Sequence, residues 1–165
     1  MVASERRRNI ASISRTVFQL RRFILLPWLL SAVVMFGLSY VWHGLLLSDL
    51  QELKIPLWLY LVLATLVYLG LGLGITIATH KAVQYEWISL KGAFPFMSML
   101  LAAAVGFFVY LVIFVMGMSF AKQGMMHVVV DILWQMFEQS MGGLMVSLGM
   151  IYDMHKRFLD QERAS

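Results

Sequence analysis

The residues best suited to chemistry lie together on the last apolar segment of the chain. With 3.6 residues per helical turn, its polar and small residues fall within one arc of about 80°. We call these residues the polar stripe: His127, Asp131, Gln135, Glu138, Gly142, Gly149 and Asp153. Most other residues of the segment are apolar, so the pattern predicts a helix with a single polar face.

Two carboxyl groups of the polar stripe suggest what the chemistry would be. Glu138 falls near the middle of the segment, and Asp131 lies seven residues away, about 10 Å along a helix axis. An acid at the bilayer centre is costly toward lipid, so such residues usually face a bundle interior or a wet cavity. Burial also favours the protonated form of a carboxyl group. The stripe predicts either a path for protons, ions or a ligand, or hydrogen bonds that join helices.

Polar residues of the other apolar segments are placed to meet the stripe. Tyr68 and Thr76 share a face of the second segment, Tyr110 lies among small residues of the third, and His43 ends the first. By depth, the two phenols are the expected hydrogen-bond partners of Glu138, although ring packing alone would also explain them. The candidates for transport or a polar network are Glu138, Asp131, Gln135, His127, His43, Tyr68, Tyr110 and Thr76.

The four histidines allow a redox or a metal interpretation. His43 and His127 are expected near one membrane surface, and His80 and His155 near the other, so each pair could ligate a haem b iron axially. The first pair together with Asp131 could instead bind a divalent transition metal. All four histidines lie at or beyond segment ends, where they are simply hydrated, and no spacing signature supports ligation. We predict no cofactor and keep haem b and a transition metal as alternatives.

Motifs for catalysis are missing from the sequence. It contains no H-E-x-x-H, no G-x-S-x-G and no acidic pair with metal-ligand spacing. The chain has no cysteine, which excludes thiol nucleophiles and disulfides. Gly70, Gly72 and Gly74 lie in an unbroken apolar segment with no preceding strand, so they do not form a nucleotide loop. These features favour a protein that is not an enzyme.

Composition places the candidate residues in a membrane. Of the 165 residues, 61% are hydrophobic and 13% are charged, whereas a soluble domain carries about 25% charged residues. Four apolar runs are long enough to cross a bilayer as helices. They cover about residues 23–47, 57–79, 94–120 and 125–152. We predict an all-α, four-transmembrane-helix bundle that forms a single membrane domain of residues 1–165.

The basic residues predict the orientation of this bundle. With a cytoplasmic N-terminus, eleven of the 13 lysines and arginines fall inside, and only Lys54 and Lys122 fall outside. Because positive flanks resist translocation, we expect both termini in the cytoplasm and the protein in a bacterial inner membrane. The net charge of +4 is then a topology signal rather than a nucleic-acid footprint.

The residues before the first run predict a short amphipathic helix within residues 4–22. Ile10, Ile13, Val17 and Leu20 recur at helical spacing among arginines, which suits the surface of the inner leaflet. A frayed tail whose arginines only set the topology is the alternative. A cleaved signal peptide is not expected, because the apolar run exceeds a typical h-region and no small-x-small cleavage site follows it.

Two segments resemble patterns found in small four-span membrane proteins of bacteria whose activity is not known. They are FGLSYVWHG at residues 36–44 and DILWQMFEQ at residues 131–139. The resemblance implies the fold and assigns no functional residue. We expect a non-catalytic accessory or structural subunit, in a homo-oligomer or a larger membrane complex. A proton, ion or small-solute transporter or channel that uses Asp131 and Glu138 is the first alternative, and a haem or metal redox protein is the second.

Overall fold

The regular structure of the chain is helical. The computed structural model describes residues 24–46, 56–90, 92–117 and 125–163. Helix α1 covers residues 24–46 and ends in a π-helical turn, Val41–Leu46. The other helices are α2, Leu57–Gln84, α3, Phe94–Gly117, and α4, Met125–Glu162. The predicted all-α class is confirmed, whereas the predicted amphipathic segment, residues 4–22, lies outside the described residues.

Three of the four helices are long and apolar enough to cross a membrane. These segments are Ile24–Gly44, Leu57–Gln84 and Phe94–Val112, with mean hydropathies of 2.0, 2.2 and 2.1. Their outer surfaces carry large apolar side chains, among which Val33, Leu66 and Phe108 are each more than half exposed. Such surfaces suit contact with lipid, and the chain is a membrane protein. Helix α4 is less apolar because it carries the polar stripe.

The C-terminal end of α2 lies five residues beyond the predicted Thr79. The helix continues through His80 and Lys81 to Gln84 and ends where Glu86 adopts a positive φ of 60°. The backbone N–H of Glu86 donates to Val83 O, and that of Trp87 donates to Ala82 O, at 3.1 and 2.9 Å. This pair of bonds is the Schellman arrangement, which satisfies carbonyl groups at the end of a helix. The helix therefore ends through a backbone motif that hydropathy does not encode.

Close contacts at glycines place α4 between α1 and α3. A Cβ atom on Gly142 would lie 2.5 Å from the Sδ of Met35 in α1, and one on Gly149 would lie 2.9 Å from the Cα of Pro27. On the other side of α4, a Cβ atom on Gly143 would overlap the carbonyl oxygen of Ser98 in α3. The neighbouring glycines 142 and 143 thus contact different helices. Small residues at these positions let the helix backbones approach closely.

Helix α2 packs on α1 through a glycine that lies between the two glycines with small-x-x-x-small spacing. Gly70 and Gly74 have the small-x-x-x-small spacing, yet a Cβ atom on either would have no atom within 4 Å. The contact is made by Gly72, whose Cβ would lie 3.1 Å from the backbone nitrogen of Ala32. Nearby, the indole N–H of Trp28 donates to the carbonyl oxygen of Leu69 at 2.7 Å. The open pair therefore faces away from the bundle.

We expect Gly143→Ala to destabilise the bundle and Gly74→Ala to leave its stability nearly unchanged. The added methyl group at residue 143 meets the backbone of α3, whereas the one at residue 74 enters open space. Overpacking of this kind typically costs about 1–3 kcal/mol. Thermal unfolding of both variants in detergent micelles measures the difference. Equal melting temperatures would contradict the close contact between α3 and α4.

Candidate functional site

Glu138 is the most deeply buried acid of the polar stripe. Its side chain is 0% exposed, and neither carboxyl oxygen has a hydrogen-bond partner among the described residues. The burial follows from packing, because the close contacts of Gly142 and Gly143 lie one turn further along α4. A buried polar group without a partner is costly, and a charged one more so. This carboxyl group therefore does not join helices by hydrogen bonds in the structure.

Two polar side chains lie against Glu138 from α2 and from α4 itself. The hydroxyl group of Tyr68 and the indole N–H of Trp134 both interact electrostatically with the carboxyl group. Neither lies within hydrogen-bond geometry of its oxygens. Tyr68 also interacts with the hydroxyl group of Ser39 in α1, which is 5% exposed. We refer to Ser39, Tyr68, Trp134 and Glu138 as the Glu138 cluster.

A pair of stacked tryptophans borders this cluster. The rings of Trp42 and Trp134 lie 4.0 Å apart between centroids and 11° from parallel. Both indole nitrogens are buried and have no hydrogen-bond partner in the described part of the chain. Trp42 belongs to the π-helical turn that ends α1, and such turns are frequent at functional sites. The stack joins α1 to α4 beside Glu138.

The second acid of the stripe has its own partner. The hydroxyl group of Tyr110 in α3 donates to Oδ2 of Asp131 at 3.3 Å, and both residues are partly buried. Tyr110 was expected to meet Glu138, but it lies nearer to Asp131 along the contact between α3 and α4. Tyr68 alone of the two phenols interacts with Glu138. The two acids thus interact with tyrosines of different helices, Asp131 with α3 and Glu138 with α2.

The remaining polar candidates are distributed over several places. Thr76 is fully buried, but its hydroxyl group donates to the Gly72 carbonyl oxygen of its own helix at 2.7 Å. Gln135 is partly buried, and its backbone oxygen lies against Gly106 of α3. His43 is partly buried in the π-helical turn. The side chain of His127 lies outside the described residues. The structure therefore brings Glu138 together with Tyr68 only, out of the predicted network.

Three residues that the polar pattern did not select are part of this site. Trp134 precedes Glu138 by four residues, so helical spacing alone places both on one face. Ser39 and Trp42 are three residues apart at the end of α1. Ser39 interacts with Tyr68, and Trp42 stacks on Trp134. Helical spacing is a signal that could have found Trp134. The approach of α1 to α4 depends on three-dimensional packing that no spacing reveals.

The metal and haem alternatives depend on clusters of histidine and acidic side chains. Among the described residues, no three His, Asp or Glu residues lie close enough together to hold a metal ion. His80 is partly buried in α2, and His155 is exposed near the end of α4. The haem and metal interpretations remain hypotheses.

Comparisons with protein-family models, with curated proteins and with solved structures give no match to this chain. The described part of the chain defines a class, a helical membrane protein with a buried acid in α4.

We expect Glu138→Leu to raise the thermal stability of the bundle. The substitution removes a buried carboxyl group without a hydrogen-bond partner and keeps a similar side-chain volume, so the gain is about 1–3 kcal/mol. Asp153→Leu is the control, because Asp153 forms an ion pair with Arg157 at 3.1 Å and its loss brings no such gain. Thermal melting in micelles compares the variants. A lower melting temperature for Glu138→Leu would show that the carboxyl group stabilises the fold.

Proposed function

We propose that the chain crosses the membrane four times, with α4 as the fourth span and both termini in the cytoplasm. The contacts of Gly142 and Gly149 with α1, and of Gly143 with α3, support this topology, because α1 and α3 are themselves apolar enough to span. The 38 residues of α4 extend about 57 Å, longer than the bilayer core, so its charged C-terminal turns continue into the cytoplasm. The distribution of lysine and arginine gives the direction.

Exposed tryptophans at the two ends of α2 agree with this topology. Trp58 in its first turn is 66% exposed, and Trp87 just after its end is 78% exposed. Tryptophan is enriched at both interfaces between membrane and water. The two side chains are therefore suited to anchor α2 across the bilayer.

Single cysteines introduced into the natural cysteine-free chain test the topology. We expect Ser4→Cys and Ser89→Cys to react with a membrane-impermeant maleimide only after the cells are opened. Ser48→Cys and Gln123→Cys should react in intact cells, because the proposed topology places both residues outside. Labelling of Ser4→Cys in intact cells would reverse the orientation. Ser165→Cys should react only after the cells are opened, and its labelling in intact cells would remove the fourth span.

Within this topology, we propose that the protein is a non-catalytic structural component of the inner membrane that assembles with a second copy of itself. The observation that supports a packing role is the contact of α4 with α1 and α3 at backbone distance, which fixes the central helix. The surface that supports assembly is the outer face of α2, where Gly70 and Gly74 have open space around them. In membranes, glycines at this spacing let two helices approach closely.

Bulky side chains on α2 test the assembly. We expect the wild-type protein to carry more than one chain per particle by native mass spectrometry from membranes. The double variant Gly70→Leu with Gly74→Leu should be monomeric, because leucine keeps the two helices apart. Gly37→Leu on α1 is the matched control, since its Cβ also has no atom within 4 Å, and it should leave the mass unchanged. A monomeric wild-type protein, or a double variant of unchanged mass, would contradict the proposal.

Transport of protons or ions is the second candidate, and one observation favours it. The carboxyl group of Glu138 is buried and has no hydrogen-bond partner in the described chain, as expected for a group that exchanges a proton or an ion. Transport requires that Glu138 communicate with both sides of the membrane. A flux in proteoliposomes that disappears in Glu138→Gln would support this function over the packing role.

A further inference from the structure

A small pocket between α1 and α2 lies beside the Glu138 cluster. Its volume is about 10 Å³, near the space that one water molecule needs. It is lined by Phe36, Ser39, Tyr40, Tyr60, Leu61, Ala64 and Tyr68. Four of these seven residues carry a hydroxyl group. Of these residues, Tyr68 also interacts with Glu138, so the pocket lies one side chain away from the buried acid.

The hydroxyl groups form a sequence from the end of α2 toward Glu138. Tyr60 lies in the first turn of α2, and Tyr68 lies two turns deeper, about 12 Å further along the axis. Tyr68 interacts electrostatically with Glu138, with Ser39 of α1 and with Tyr60. Tyr40, which lines the same pocket, is 42% exposed. Each hydroxyl group can both donate and accept a hydrogen bond.

The opposite direction along the bundle is closed by tight packing. Met35, Ile75 and Val146 are each 0% exposed and belong to one buried cluster. Met35 also packs against Gly142, one turn beyond Glu138 on α4. Ser31 and Thr76 on this side are also 0% exposed, and the hydroxyl group of Thr76 donates to the Gly72 carbonyl oxygen of its own helix at 2.7 Å. The surroundings of Glu138 thus include a small pocket toward the start of α2 and are tightly packed toward its end.

We propose that Glu138 is a proton-binding site that exchanges with one side of the membrane only, through Tyr68 and the pocket that Ser39 and Tyr60 line. The side is the one that holds the N-terminal end of α2, which the proposed topology places outside. When the Tyr68 side chain rotates into hydrogen-bond geometry with the ionised Glu138 carboxylate, a hydronium ion in the pocket gives a proton to the Tyr68 oxygen and becomes water, while the Tyr68 hydroxyl proton passes to the carboxylate. Within the described chain, Tyr68 is the titratable group that faces Glu138, and Trp134 the other polar one.

This inference rests on the four-span topology and is independent of assembly through α2. One-sided exchange moves no net proton across the membrane, so it is compatible with the packing role. It would let the protonation of a central, buried group follow the pH on one side.

Carbodiimide labelling tests the inference, because a hydrophobic carbodiimide reacts with protonated carboxyl groups inside membranes. The protein is reconstituted in vesicles, and its orientation in them is measured with the single-cysteine variants. Labelling of Glu138 is followed by mass spectrometry. We expect the labelling rate to follow the pH on the side of the α2 N-terminus and to ignore the pH on the other side. Dependence on both sides would overturn one-sided exchange and support transport. Dependence on the opposite side alone, or no labelling at any pH, would also overturn it.

Hydrogen–deuterium exchange of the carboxyl group tests the role of Tyr68. The C=O infrared band that Glu138→Gln removes reports the exchange in oriented films. We expect Tyr68→Phe to slow exchange on the order of tenfold, the effect of about 1.4 kcal/mol in a barrier. Ser39→Ala removes only one hydroxyl group and should slow the exchange too, so the test does not depend on the folding of one variant.

Tyr110→Phe is the matched control and should leave the exchange rate unchanged, because Tyr110 donates its hydrogen bond to Asp131. Unchanged rates in both Tyr68→Phe and Ser39→Ala would overturn the pathway.

Discussion

The backbone contacts of α4 at Gly142 and Gly143 are the constraint on which the rest of the structure depends. These two adjacent residues hold α1 on one side and α3 on the other, at distances that leave no room for a methyl group. Any helix fixed so closely on two sides buries the residues one turn away, whatever their polarity. Glu138 and Gln139 precede the two glycines by four residues each, and both are almost completely buried. The burial of the acid is thus a consequence of helix packing and not of its own hydrogen bonds.

This origin explains why the interior is rich in polar atoms without partners. Ser31, Ser98 and Gln139 also have buried side-chain oxygens with no hydrogen bond among the described residues. In lipid there is little hydrophobic force between helices, and close packing of small residues can hold them together. The bundle relies mainly on that packing, to which Trp28 and Tyr110 each add one side-chain hydrogen bond between helices. Glu138 has no hydrogen-bond partner in the described chain, and a buried acid of this kind in a membrane protein usually marks a functional site.

The sequence predicted the helices and the inward direction of the stripe, because both follow from periodicity and apolar length. The face of α2 that holds Tyr68, Gly72 and Thr76 is buried as the spacing indicated, although Thr65 of the same face is exposed. What it could not predict depends on the relative height and rotation of whole helices. Gly72 rather than Gly70 and Gly74 contacts α1, and Tyr110 meets Asp131 rather than Glu138. The first difference is a rotation of about half a turn around α2, and the second is a shift of about two turns along α4. Hydropathy resolves neither.

The Schellman motif at the end of α2 has a consequence for the order in which the protein is made. By fixing the chain at residues 85–88, it directs the connection back toward α3, so that α2 and α3 are suited to enter the bilayer together as a helical hairpin. In the proposed four-span topology α4 also inserts. An acid at the centre of an inserting helix costs about 2.5–3.5 kcal/mol, so α4, with Asp131 and Glu138, is a poor candidate to insert alone. It is synthesised last of the four helices. When it leaves the ribosome, α1 and α3, which pack against it, have already been synthesised. The acids of α4 can therefore be buried against protein instead of lipid.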